Sequence, residues 1–143
     1  MAERVVYLDT NVVLDHLMDR QPFAEYSHRL FALAETGKLK LYVSALTFCH
    51  LYYLLTKASG HHQALELLRQ LRQLVHVSGL GEREIDAALA APGRDFEDQV
   101  QYASAQTIGP VEAILTRNRQ DFPAVGLPVC APDEFLARFE SAG

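Results

Sequence analysis

Asp9, Asp98 and Asn118 are the side chains around which chemistry can be assembled in this sequence. Asp9 ends a short apolar run, Val5-Val6-Tyr7-Leu8, and precedes Thr10, Asn11 and a helix-compatible apolar segment. A carboxylate at the end of a buried strand, ahead of a helix, sits where open α/β sheets bind their ligands. Burying it is costly unless a cation or hydrogen bonds compensate it. The plainer role for Asp9 is to cap the following helix, as Asp commonly does. Asp95 and Asp98 stand three apart at the start of another helix and share a face. Asn118 lies just past a second apolar run, within Thr116-Arg117-Asn118-Arg119-Gln120-Asp121-Phe122. Converging on one crevice, these groups offer oxygen ligands of the kind Mg²⁺ or Mn²⁺ takes while keeping waters and meeting a substrate phosphate. Such an ion activates water and neutralises charge that develops in phosphoryl chemistry. An acid at a helix start is also an ordinary partner of the helix dipole. The order and combination of these residues therefore carry the reading, and no single residue does.

The elements that must position them alternate in type. Residues 4–8 read as a strand and 11–18 as a short helix. Pro22 opens a second helix at about Phe23, and Gly37 stops it. Residues 38–43 alternate as a strand. A helix over 44–57, capped by Ser44 or Thr47, is apolar on most faces and is expected to be largely buried, with Cys49 as a packed, reduced thiol. A helix over 61–74, a strand over 75–77 and a helix over 82–91 follow. Pro92-Gly93 is a strong stop, and Arg94 to Asp98 opens a helix through Ile108. Residues 112–115 read as a strand, 128–129 as a short last strand, and 132–139 as a closing helix. Strands alternating with helices point to an α/β fold with a mainly parallel sheet.

The chain has 143 residues, 49% of them hydrophobic, which suits one domain over 1–143. Eighteen acids against thirteen bases give a net charge of -5. That balance does not hold nucleic acid by general electrostatics, but it leaves room for acids that bind cations, which then meet the phosphate. No secretory signal and no apolar run near the ~20 residues of a membrane helix is visible, so a cytoplasmic location is expected. The two cysteines lie far apart and form no metal-type spacing.

Leu8-Asp9-Thr10-Asn11, Val43-Ser44-Ala45-Leu46-Thr47, Asp95-Phe96-Glu97-Asp98 and the stretch from Leu115 to Phe122 together resemble a PIN domain. The order and spacing extend over nearly the whole chain, and its length is similar to the compact VapC-type toxins of bacteria and archaea. The resemblance implies a PIN-like three-layer sandwich with a five-stranded, mainly parallel sheet between helices. It also implies an endoribonuclease using Mg²⁺ or Mn²⁺, an RNA substrate, a homodimer and a cognate antitoxin protein. Carried over by position, Asp9 matches the first acid, Asp98 the third, and Asn118 the fourth ligand. Thr116 fits the polar residue two before it. Asp121 is a further candidate, and Asp95 is expected to line the pocket. Asn11 supports the site, and Arg117 and Arg119, flanking Asn118, are candidate phosphate contacts. The second acid is the departure: where the family places a glutamate three past the threonine, this chain has His50. Imidazole suits Mn²⁺ better than Mg²⁺, and the exchange removes one negative charge. That departure leaves a second expectation open, a weakened PIN-like domain that binds RNA or protein without cutting. A receiver-like or phosphatase domain fits less well, because no lysine follows the strand at 112–115.

Overall fold

The computed structural model describes residues 4–91, 95–123 and 126–141. The stop expected at Pro92-Gly93 lies outside them. Five short strands form one sheet: β1 (Val5–Leu8), β2 (Lys40–Ser44), β3 (Val75–Ser78), β4 (Ala113–Leu115) and β5 (Val129–Cys130). Their order is β3-β2-β1-β4-β5 and every pairing is parallel. Parallel neighbours need crossovers, and up to β4 helices supply them: α1 (Thr10–Leu17), α2 (Ala24–Glu35), α3 (Ala45–Ser59), α4 (His61–Leu74), α5 (Glu82–Ala90) and α6 (Phe96–Gln106). The chain closes on α7 (Pro132–Ser141).

The sheet is buried on both sides, which is why its strands read as nearly continuous apolar runs. Side chains alternate across it. Val6 and Leu8 enter a core with Leu30, Phe31, Leu51, Leu55, Leu71 and Leu136. Tyr7 and Ile114 enter a second core with Tyr102, Ala105 and Phe122. Helices α1, α2, α3, α4 and α7 thus cover one face and α6 the other, with α5 packed on α6. This is the expected three-layer α/β sandwich.

The expectation for α3 is corrected. Thr47, Leu51 and Leu55, spaced by four, form its buried stripe. Tyr53, on the far side of that stripe, and Leu54, at its edge, are 61% and 40% exposed. Cys49 is exposed rather than packed, whereas Cys130 is buried, and both are free thiols. Among the described residues no helix is long and apolar enough to cross a membrane.

The chain runs from β1 outward to β3 and then returns to the other side of β1 with β4 and β5. The direction of winding therefore reverses between β1 and β4. In an open parallel sheet a crevice forms at such a reversal, beyond the carboxyl ends of the strands. Residues 9 and 116 lie immediately beyond β1 and β4.

Candidate active site

Asp9 stands at this reversal and does what a cap residue does. Its Oδ1 accepts from the Thr10 N–H at 2.8 Å, opening α1. Its other oxygen is not left over: Thr116 Oγ1 donates to Oδ2 at 2.8 Å. The backbone ties the same seam, with Asp9 N–H donating to the Leu115 carbonyl at 3.0 Å. Asp9 is 7% exposed, and burial raises its pKa against the pull of these hydrogen bonds. One carboxylate thus caps α1 with one oxygen and ties to the loop beyond β4 with the other. Thr116 is further fixed as the acceptor of the Asn118 N–H at 3.1 Å.

Asp98 comes from the opposite side. Asp95 caps α6 by accepting the Asp98 N–H at 3.2 Å, which puts Asp98 in the first turn, facing Asp9. A cleft of about 400 Å³ lies between them, lined by Asp9, Thr10, Asn11, His50, Glu97, Asp98, Gln101, Asn118 and Asp121, with Leu14, Tyr53 and Leu54 as its apolar part. Burial, then the charges of Asp95, Asp9, Asp121 and Glu97, push the Asp98 pKa up to about 7. Four carboxylates thus line one cleft, and among the described residues that line it His50 is the one basic side chain. His50 Nε2 lies 3.6 Å from Glu97 Oε1, so the imidazole faces the cleft rather than the core.

The cleft gathers Asp9, Asn11, His50, Asp98, Asn118 and Asp121. Asp95 caps α6 without lining it. Nor do the two arginines line it. Arg117 turns to Asp15, with Nη2 donating to Oδ1 at 3.3 Å and Nε 3.1 Å from Oδ2. Its guanidinium lies 4.0 Å from the Phe23 ring centroid. Arg119 reaches Glu134 at 3.4 Å on the surface.

Three features escaped the sequence reading. Gln101, one turn after Asp98, lines the cleft and accepts from the buried Tyr7 hydroxyl at 3.2 Å. Its spacing of three from Asp98 was the available signal. Thr10 and Thr47 hydroxyls meet at 3.0 Å, joining the starts of α1 and α3. Asp15, only 1% exposed, pairs with Arg20 at 3.0 Å as well as with Arg117. Burial raises its pKa against the pull of both arginines.

The chemistry of the donor set fits a divalent cation. Burial first, and then the neighbouring acids, raise the Asp98 pKa, and a hard cation with oxygen ligands is the usual partner for acids gathered in this way. Among the described residues, no three His, Cys, Asp or Glu side chains are gathered tightly enough to hold an ion unaided. An ion seated here would also draw on neutral oxygens such as that of Asn118 and on water, as is usual for Mg²⁺.

Fold and site together define an α/β protein with an acidic cleft at the reversal of a parallel sheet. The PIN domain family model matches residues 4–120, and the chain belongs to that family. Ribonuclease VapC1 of Aquifex aeolicus (strain VF5) is 23% identical over 146 residues, which span 99% of each chain. Among solved structures, a toxin-antitoxin complex from Klebsiella pneumoniae superposes with a TM-score of 0.67 at 19% identity, over 89% of this chain and 97% of that one. Mycobacterium tuberculosis VapC20, described as a sarcin-ricin loop cleaving toxin, superposes with a TM-score of 0.60 at 16% identity, over 76% and 86%.

Proposed function

We propose that this chain is a metal-dependent endoribonuclease of the PIN-domain toxin type, a single domain over residues 1–143. The observation that carries this reading is the gathering of Asp9, Glu97, Asp98 and Asp121, with Asn118, in one cleft at the reversal of the sheet. Asp9, Asp98 and Asn118 are the proposed ligands of Mg²⁺ or Mn²⁺, with Asp121 beside them. The ion, when bound, supplies an activated water and offsets charge developing on the scissile phosphate. The protein's own part is positioning. Thr10 and Thr116 hold Asp9 in one orientation, Asp95 sets Asp98 at the start of α6, and Thr116 fixes the turn that carries Asn118. Arg119 is assigned the outlying phosphate contact, because its exposed pair with Glu134 yields at little cost. Arg117 stays with Asp15.

An RNA substrate, an antitoxin protein and a second copy of the chain are the proposed partners, on the strength of the family and of relatives that are toxins or toxin-antitoxin complexes. The test is an endonuclease assay on chelator-stripped protein with single-stranded and stem-loop RNA, titrated with Mg²⁺ and Mn²⁺. Asp9→Asn and Asp98→Asn are expected to abolish cleavage while the fold persists. Cleavage undiminished in excess chelator refutes the metal reading. RNA binding without cleavage at any metal concentration turns the assignment to a binding module.

A further inference from the structure

Asn11 lines the cleft, and its side chain is held by a group that can only donate. Arg20 Nη2 lies 3.1 Å from Asn11 Oδ1 and 3.3 Å from the Asn11 backbone oxygen. A guanidinium has no acceptor, so the amide atom facing it is the oxygen. The amide cannot turn over without setting N–H against N–H. Arg20 is itself anchored, since its Nε donates to the buried Asp15 carboxylate at 3.0 Å. Among the described residues, no protein acceptor takes the Asn11 Nδ2 hydrogens. In a cleft lined by Asp9, Glu97, Asp98 and Asp121, this amide is thus a neutral donor whose acceptor oxygen is already engaged.

We infer that Asn11 is a substrate-contacting hydrogen-bond donor, offering Nδ2 to a non-bridging oxygen of the RNA phosphate, and is not an oxygen ligand of the metal. Arg20 and Asp15 are then positioning residues that fix which end of the amide faces the cleft. This rests on the nuclease reading. It adds a function for the Asn of the Asp9-Thr10-Asn11 stretch that the acids cannot perform, because a carboxylate repels the phosphate that an N–H binds.

The two possible roles of Asn11 separate on two readouts. Mn²⁺ binding is measured without RNA by electron paramagnetic resonance. Affinity for a labelled, uncleavable single-stranded RNA is measured in Mg²⁺. For Asn11→Ala, Mn²⁺ affinity is expected to stay within about twofold while RNA affinity falls about tenfold, the usual scale for losing one bond to a charged oxygen. For Asn11→Asp, which keeps shape and the Arg20 contact, cleavage falls even though the added charge favours the metal. Arg20→Lys, which also can only donate, retains most of the RNA affinity, and Arg20→Gln, which lets the amide turn, loses it with thermal stability as the folding control. A drop of Mn²⁺ affinity of about tenfold in Asn11→Ala, or faster cleavage by Asn11→Asp, overturns the inference and makes Asn11 a metal ligand. Unchanged RNA affinity in Asn11→Ala overturns it also. Wild-type protein that binds Mn²⁺ but no RNA overturns the nuclease reading, and the inference with it.

Discussion

Asp98 carries a large electrostatic consequence for a single side chain. Burial and the charges of Asp95, Asp9, Asp121 and Glu97 place its pKa at about 7, against about 4 in an unfolded chain. Between those values the folded protein keeps a proton that the unfolded chain has lost. By linkage, the Asp98 contribution therefore falls as pH rises through that window. His16 acts in the opposite sense: burial and neighbouring His28 lower its pKa to about 4, so its contribution is lost as pH falls below the unfolded histidine value. Comparison of wild type with Asp98→Asn isolates the Asp98 part. The metal-free variant is expected to melt about 3 °C higher than wild type at pH 7.5, after discounting for solvent screening, with the difference vanishing near pH 4. Calorimetry in chelator reads this directly, and an equal gain at both pH values counts against it. Metal must displace the same proton, so Mn²⁺ affinity is expected to weaken as pH falls below about 7. His50 faces the cleft beside Glu97. His50→Glu is accordingly expected to tighten Mg²⁺ binding and raise the Mg²⁺-dependent cleavage rate, and titration of the two proteins side by side decides it. Asp9, Asp98 and Asn118 could be picked out in the sequence because each sits at a strand or helix boundary, a place local pattern reveals. The pairing of Arg117 could not, because its partner, Asp15, is 102 positions away.

At the scale of elements, the cleft is an arrangement of helix starts. Asp9 opens α1, Ser44 opens α3 through the Thr47 N–H, and Asp95 opens α6. Each start follows directly from a short polar residue, and these boundaries were readable to within a few residues. How far α3 sinks into the core was not. Its composition is apolar on most sides, and only the three-dimensional course of α4 and the sheet decides which apolar side chains find cover. What locks α1 to the loop beyond β4 is the group of Asp15, Arg20 and Arg117, joined across α1, the α1–α2 turn and that loop. Asp15 is buried while Arg20 and Arg117 keep side-chain exposures of 37% and 26%. Asp15→Ala leaves two facing cations without their anion. It is expected to cost about 2–3 kcal/mol, the lower end for a broken buried pair because the arginines still reach water. Urea titration measures it, and a loss under about 0.5 kcal/mol would reduce the group to ordinary surface charge.

At the scale of the whole molecule, Tyr53, Leu54, Ile85 and Leu89 leave apolar side chains 37–68% exposed on α3 and α5. Apolar surface of this kind favours association, and a homodimer at micromolar concentration is the expected result of light scattering; a monomer there counts against it. The alternation of strands and helices made the parallel sheet legible from the chain alone. The strand order was not legible, since nothing local says that β4 lies beside β1. That adjacency has a consequence in time. A ribosome makes Asp9 before its partner Thr116, which follows 107 positions later. At about 5–20 residues per second, roughly 5–20 s pass before the second wall of the cleft exists at all. The unfinished chain holds its first strand without the neighbour that completes the crevice, so the proposed nuclease is inert toward the message and ribosome producing it. Chains stopped at residue 110 in a cell-free system should leave RNA intact, where the full-length product cuts it.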